Sequence, residues 1–317
     1  MKYAITTSAS IIGQYLSKVR NHFFGVFFVG LSLSLVSCSS SNESIEDLQV
    51  DSALQQIIFT SPERAAQSFF DAISDNDVET LKKILGANFQ NVLPIESLTS
   101  QDSTNFIAAW QNKNSLITDE KEKYKLIVVG KNQWTLPIPI VSNESGWFFN
   151  VEQGIDLIDE RHIGKNELNV IQVFLAYQHA QQEYLEQDHD GDGQLEYAQK
   201  LISSPEVHDG LFWDGNPSEK VGYLKELLAN KEAKGSYHGY YYKLLNTQND
   251  NSKTASFSLV AWPKNYALSG VMSFYINEQG SVLEQDLGPE SSTILASMNT
   301  YDAASGWEIA KEESLIR

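Results

Sequence analysis

An α+β fold in two consecutive domains is what this sequence predicts, and three observations predict it. Helix-start signals and apolar residues at helical spacing run from Ser61 to Trp110, and strand-like runs follow. A longer stretch of helical spacing then opens a second half, which again ends in strands. Roughly 280 residues lie beyond the leader-like first segment, more than most single cores need.

Ser61-Pro62-Glu63 starts a helix with a capping serine, a proline at the first helical position and an acid against the dipole. Ala66, Phe69, Phe70 and Ile73 follow on one face. Asp77 can cap a second helix, with Leu81, Ile84 and Leu85 inward and Gly86 as its stop. Asp102 can cap a third, burying Phe106, Ile107 and Trp110. Strands are expected at Tyr124 to Val129, Ile138 to Val141 and Trp147 to Val151. Pro137 and Pro139 remove two ladder donors on one side, so that segment belongs at an edge or a bulge. These elements give an α+β domain over residues 59–160.

The second domain, residues 161–310, opens with a long helix. Val170, Val173, Tyr177, Ala180 and Tyr184 recur at steps of three and four, widened by Leu168, Ile171, Phe174 and Leu175. A glycine-rich acidic loop and a short helix from Leu195 to Ile202 are expected next. Strands follow near Tyr237 to Leu245, Phe257 to Trp262, Gly270 to Ile276 and Ser281 to Asp286, the last two joined by a hairpin turn at Asn277 to Gly280. One long helix across an antiparallel sheet is the economical arrangement, with a short tail at residues 311–317.

Residues 1–37 carry an address rather than a fold. Lys2, Lys18 and Arg20 precede an apolar run from Phe23 to Val36, too short for an ordinary spanning helix. The run ends in Leu35-Val36-Ser37-Cys38, which resembles a bacterial lipobox and marks Cys38 as the lipid-bearing residue. Residues 38–58 then read as a polar tether. The resemblance implies export, a palmitate-type lipid anchor in the membrane and, in a Gram-negative cell, the outer membrane or the cell surface. The net charge of −18 becomes −21 without the three basic leader residues, which argues against nucleic acid and anionic lipid surfaces as partners. Cys38 is the single cysteine, so no disulfide within the chain supports the fold.

Several stretches jointly resemble a bacterial secreted family catalogued as domain of unknown function 2950. They are Arg161 to Glu167, Asp190 to Gly193, Glu196 to Gln199, Asp209 to Trp213, His238 to Tyr241 and Asp286 to Pro289. That resemblance implies an exported protein with a shared build and supplies no activity. His162 stands where the family often doubles an arginine. The element order of the second half is similar to the globular part of type IV pilins and type II secretion pseudopilins. The first half resembles, in pattern alone, the cone-shaped nuclear-transport-factor-like fold.

Asp188-His189-Asp190-Gly191-Asp192-Gly193-Gln194-Leu195-Glu196 carries the clearest chemistry. Calcium takes six to eight hard oxygen ligands, and carboxylates at alternate positions with glycine at the turn can supply them from one loop. Asp188, Asp190 and Asp192, the Gln194 carbonyl and Glu196 are the candidate ligands, with Leu195 expected inward. Gln199 stands where a bidentate glutamate is usual, so the affinity should be weak, on the order of 0.1–1 mM. The plainer alternative is a solvated Asp/Gly turn. His208, Asp209, Phe212, Trp213 and His238 form a candidate binding surface, with a packed core edge as the alternative. His162 and His179 could join His208, His238, Glu167 and Asp209 in a hydrolase or metalloenzyme, although no nucleophile–base pair can be named. The favoured expectation is a non-enzymatic module that binds another envelope or secreted protein. A third expectation is a small apolar ligand held in the first domain by Phe69, Phe70, Trp110 and Trp147.

Overall fold

The structure, a computed structural model, describes residues 56–86, 88–93, 100–119, 122–189, 191, 193–213, 235–245, 256–299 and 306–310. Cys38 and its lipobox therefore lie outside the described residues. The described residues divide into two compact units between Asp159 and Glu160.

In the first unit, α1 spans Pro62–Ser74 and begins as its residues dictate: Ser61 is extended, and its hydroxyl accepts from the Arg64 N–H. Helix α2 (Val78–Leu85) is capped by Asp77, which accepts from the Thr80 N–H, and it closes at Gly86 with φ 84°. Helix α3 runs over Ser100–Asn112. Asp102 thus sits inside the first turn and is not the cap, still placed favourably against the dipole.

An antiparallel sheet follows, made of β1 (Asn114–Asp119), β2 (Tyr124–Val129), β3 (Trp134–Thr135), β4 (Ile140–Asn143) and β5 (Gly146–Phe149). Its order is β1-β2-β4-β5, and β3 also pairs with β2. Both prolines fall in the bend between β3 and β4, and β4 starts only after Pro139. Strand β2 so meets two short partners, β3 and β4, and between them Leu136 still donates to the Ile127 carbonyl at 2.9 Å while Pro137 and Pro139 cannot donate. Ala65, Phe69, Leu81, Ile84, Ile127, Ile138, Ile140 and Phe149 form the core between helices and sheet.

Helix α4, 34 residues over Val151–Tyr184, begins in the first unit and from Glu160 onward belongs to the second. It starts earlier than its apolar stripe suggests. Gly154 lies in its first turns because a Cβ there would stand 3.0 Å from the Pro137 carbonyl oxygen. Val170, Ile171, Val173, Phe174 and Tyr177 are all essentially inaccessible and meet Leu259, Ala261, Phe274 and Ile276 of the sheet. That sheet holds β8 (Tyr240–Leu244), β9 (Ser258–Pro263), β10 (Ser273–Asn277), β11 (Leu283–Gln285) and β12 (Glu308–Ile309) as an antiparallel meander. Gly280 closes the β10–β11 hairpin by donating to the Asn277 carbonyl at 2.9 Å.

Its opposite face is covered too. Val260, Trp262 and Tyr275 pack there with Leu295 of a short helix, α5 (Ser291–Ser297). Every residue of β9 is consequently buried.

The helix expected at Leu195 to Ile202 does not form. The chain runs without regular secondary structure to β6 (Lys200–Ile202), which pairs in parallel with β7 (Gly210–Phe212). So short a helix gains little on its own, and α4 offers the backbone something better. The Gln181 side chain accepts from the Ala198 N–H and donates to the Ala198 carbonyl, both at 2.9 Å. Leu195 is 53% exposed, against the expectation that it points inward. Among the described residues no helix is long and apolar enough to cross a membrane.

Candidate functional site

Two places in the molecule could bind something, one in each unit. The first is a cavity of about 460 Å³. Phe69 and Ile73 of α1 form one wall, and Phe106 and Ala109 of α3 another. Val129 of β2, Trp134 of β3 and the Leu136-Pro137-Ile138 bend complete it beside Val92 and Leu93. Phe69, Val129, Leu136 and Ile138 are buried, so the floor is apolar. The size lies within the ordinary range for small-molecule sites.

The polar lining residues, Asp102, Ser103 and Asn105, all come from one stretch of α3, and Asp102 and Asn105 are exposed. Trp134, 47% exposed, stands at the rim with its ring edge-on to Phe106 at 6.5 Å. Of the four lining residues expected, Phe69 alone takes part. Phe70 and Trp110 stack on each other at 4.8 Å, and Trp147 bridges to Phe59. Helical spacing identified the apolar residues without showing which side of a mutual stack would face empty space.

The second place is the end of α4. Asp188 closes the acidic loop on itself: one carboxylate oxygen accepts from the Gly191 N–H at 2.7 Å and the other from the Gly193 N–H at 2.8 Å. Both glycines have positive φ, 80° and 83°, a turn that favours glycine. Asp190 and Asp192 lie outside the described residues; Gln194 is exposed and Glu196 half-buried. No group of three or more His, Cys, Asp and Glu side chains able to hold a metal occurs among the described residues.

Beside this loop four rings touch in series. Tyr184 lies on His189 at 4.1 Å, His189 meets Trp213 at 5.4 Å, and Trp213 lies on His208 at 4.6 Å. The Tyr184 hydroxyl donates to the His208 carbonyl. The structure so brings together His208 and Trp213, as the sequence suggested, and adds His189 and Tyr184. Phe212 packs against the core.

Asp209 is a turn-former: it accepts from the Ser204 N–H at 2.7 Å and pairs with the Lys200 ammonium at 2.6 Å. The Lys200 contact first, then the Ser204 bonds, hold its carboxyl down to about 2. His238 sits elsewhere, at φ 49° in the tight Tyr237–Tyr240 turn with its ring 4.1 Å from Tyr237. His162 and His179 are exposed on α4.

Two polar residues on the buried face of α4 organise the second unit. Glu167, 8% exposed, accepts from the Val271 and Met272 N–H groups at 2.9 and 3.0 Å. The Tyr240 hydroxyl donates to the Met272 carbonyl at 2.9 Å and lies 3.4 Å from the same carboxylate. Burial, then the charge of Glu167, push the Tyr240 hydroxyl well above its ordinary pKa. A Cβ on Gly270 would fall 1.9 Å from that hydroxyl oxygen, which accounts for the glycine. Next to Glu167, Asn166 donates to the Ser269 carbonyl at 2.9 Å.

These contacts join stretches far apart in sequence: Asn166-Glu167 with Ser269 to Met272, and Gln181 with Ala198. Compared with curated proteins and with solved structures, the chain has no match among either. A family model described as protein of unknown function (DUF2950) matches residues 56–310, and the chain belongs to that family.

Proposed function

We propose that this chain is a lipid-anchored protein of the bacterial envelope, held by lipid on Cys38, which binds rather than transforms its ligands. In this reading the first unit takes a small, largely apolar molecule. The cavity beneath α3 carries the proposal: a ligand's apolar surface leaves water when it enters an apolar-floored site of this size, and each methylene it buries contributes about 0.8 kcal/mol. The test is direct titration of the chain from Ser39 onward with the uncharged, environment-sensitive dye N-phenyl-1-naphthylamine. Saturable fluorescence that Ala109→Phe abolishes, with unfolding temperature held, supports it. No saturable binding to the folded protein overturns it.

The second unit supports a role in docking to another envelope or secreted protein. Its build, a long helix on an antiparallel meander, favours the likeness to pilin globular domains. The ring series from Tyr184 through His189 and Trp213 to His208 is the part of it suited to a contact surface.

Calcium at Asp188 to Glu196 is part of the same proposal, as a structural clip. The Asp188 carboxylate already gathers the loop backbone around itself, which supports a preformed turn. The outward Leu195 weighs on the other side.

A further inference from the structure

Aromatic rings from three separate elements line the cavity of the first unit: Phe69 of α1, Phe106 of α3 and Trp134 of β3. Phe69, on the buried floor, stands at 89° to Phe106 with ring centroids 5.9 Å apart. Phe106 in turn stands at 79° to Trp134, at 6.5 Å. Trp134 is the exposed member, 47% accessible on a strand of two residues. It gains the most from an occupant, because a tryptophan ring carries a large apolar area.

The angle between the outer two rings decides what fits best. Aromatic rings attract one another edge to face or in offset stacks, and a saturated ring has no such attraction to them. Phe106 and Trp134 are nearly perpendicular, so a flat ring lying parallel to one is edge-on to the other. Both favoured contacts then form at once. Other lining residues, such as Ile73, Leu93 and Leu136, are aliphatic and bury any hydrocarbon alike. Discrimination between a flat ring and a puckered one therefore falls on the rings.

We infer that the cavity prefers ligands bearing an aromatic ring over saturated ligands of the same carbon skeleton, and that Trp134 sets the preference. This rests on the cavity being a binding site, the reading proposed above. Its own content is the ring contact at the rim.

The experiment is displacement of N-phenyl-1-naphthylamine from the chain beginning at Ser39. The competitors are 4-phenylbutan-1-ol and 4-cyclohexylbutan-1-ol. Both are uncharged, with the same carbon skeleton and the same hydroxyl. The cyclohexyl compound is the more apolar of the two, so burial alone favours it. The expected result is that the phenyl compound nevertheless displaces the dye at a concentration at least about threefold lower, a margin that two ring contacts of ordinary strength supply. Trp134→Leu should abolish or reverse that order, and Trp134→Phe, which keeps a ring, should retain it. Trp134 is exposed, so both variants keep the buried floor, and their unfolding temperatures report on folding.

If the dye does not bind the wild-type protein, the cavity reading fails and this inference falls with it. If the dye binds and the cyclohexyl compound displaces it as well as the phenyl compound or better, the ring inference is overturned while the cavity reading stands. An order unchanged in Trp134→Leu overturns it too, since the preference would then not come from Trp134. Loss of dye binding in folded Trp134→Leu, with binding kept in Trp134→Phe, supports the inference, because the dye is itself aromatic.

Discussion

Replacing Gln181 by leucine tests whether a single side chain ties the 194–199 segment to α4. Gln181 is fully buried. Its amide nitrogen donates to the Tyr177 hydroxyl and the Ala198 carbonyl, and its oxygen accepts from the Ala198 N–H, each at 2.9 Å. Leucine is close in volume, so the cavity term is small and the hydrogen-bonding term dominates. Gln181→Leu orphans the N–H and C=O of Ala198, itself 3% exposed. A buried polar group left unpaired costs about 1–3 kcal/mol, so the pair should cost about 2–6 kcal/mol. Urea unfolding of the chain from Ser39 onward measures this as a lower midpoint with little change in slope. Hydrogen exchange supplies the local reading: the Ala198 amide should lose protection well beyond the loss spread over the β9–β10 ladder. A destabilisation under about 1 kcal/mol, with Ala198 still protected, would refute the reasoning. It would mean that the 194–199 segment is held by the β6–β7 pairing and does not need the glutamine.

Gly270→Ala should prevent the Ser269–Met272 segment from closing on Tyr240, because the new methyl would overlap the phenol oxygen; circular dichroism and the unfolding midpoint read this, and a midpoint within error of wild type would sink it. Gly146→Ala places a Cβ 2.5 Å from the Phe59 carbonyl oxygen at φ 139°, so it should cost roughly 2 kcal/mol or more in the first unit, whereas an unchanged urea midpoint would contradict that packing. Asp209 has its pKa lowered by folding, so its contribution is present above the ordinary carboxylate pKa and is lost as pH falls from about 4 through about 2. Asp209→Asn should flatten that part of the acid-stability curve, and a curve parallel to wild type would remove Asp209 as its source. Ten millimolar calcium should raise stability by about 1–3 kcal/mol over chelator if the acidic loop binds with a dissociation constant of 0.1–1 mM. Asp190→Asn should abolish the rise, and identical melting curves with calcium and chelator would sink the clip.

Local rules made much of this chain legible. Ser61-Pro62 and Asp77 start α1 and α2 where capping chemistry requires, and Gly86 ends α2. The apolar stripe from Val170 to Tyr184 is the buried face of α4, and Asn277 to Gly280 makes the expected hairpin. Such signals act within a few residues, so one sequence displays them. By contrast, β1 went unread because a half-exposed edge strand carries little apolar alternation. The layer of α5 over the far face of the sheet had one signal, the uninterrupted burial pattern of β9, whose apolar run fits a strand covered on both sides.

By itself, the sequence determined the α+β class, the principal helices and their inward faces, and family membership through its joint motifs. Tertiary structure alone decided which polar residues became hubs, that Leu195 faces solvent, and where a cavity opens between α1 and α3. The physical reason is range. Caps, turns and periodicity are settled by neighbours in the chain, whereas the backbone donors to Glu167 lie 104 and 105 residues away and the backbone partner of Gln181, Ala198, lies 17 away. A cavity is a property of what several elements fail to fill together, and no single stretch of residues encodes it.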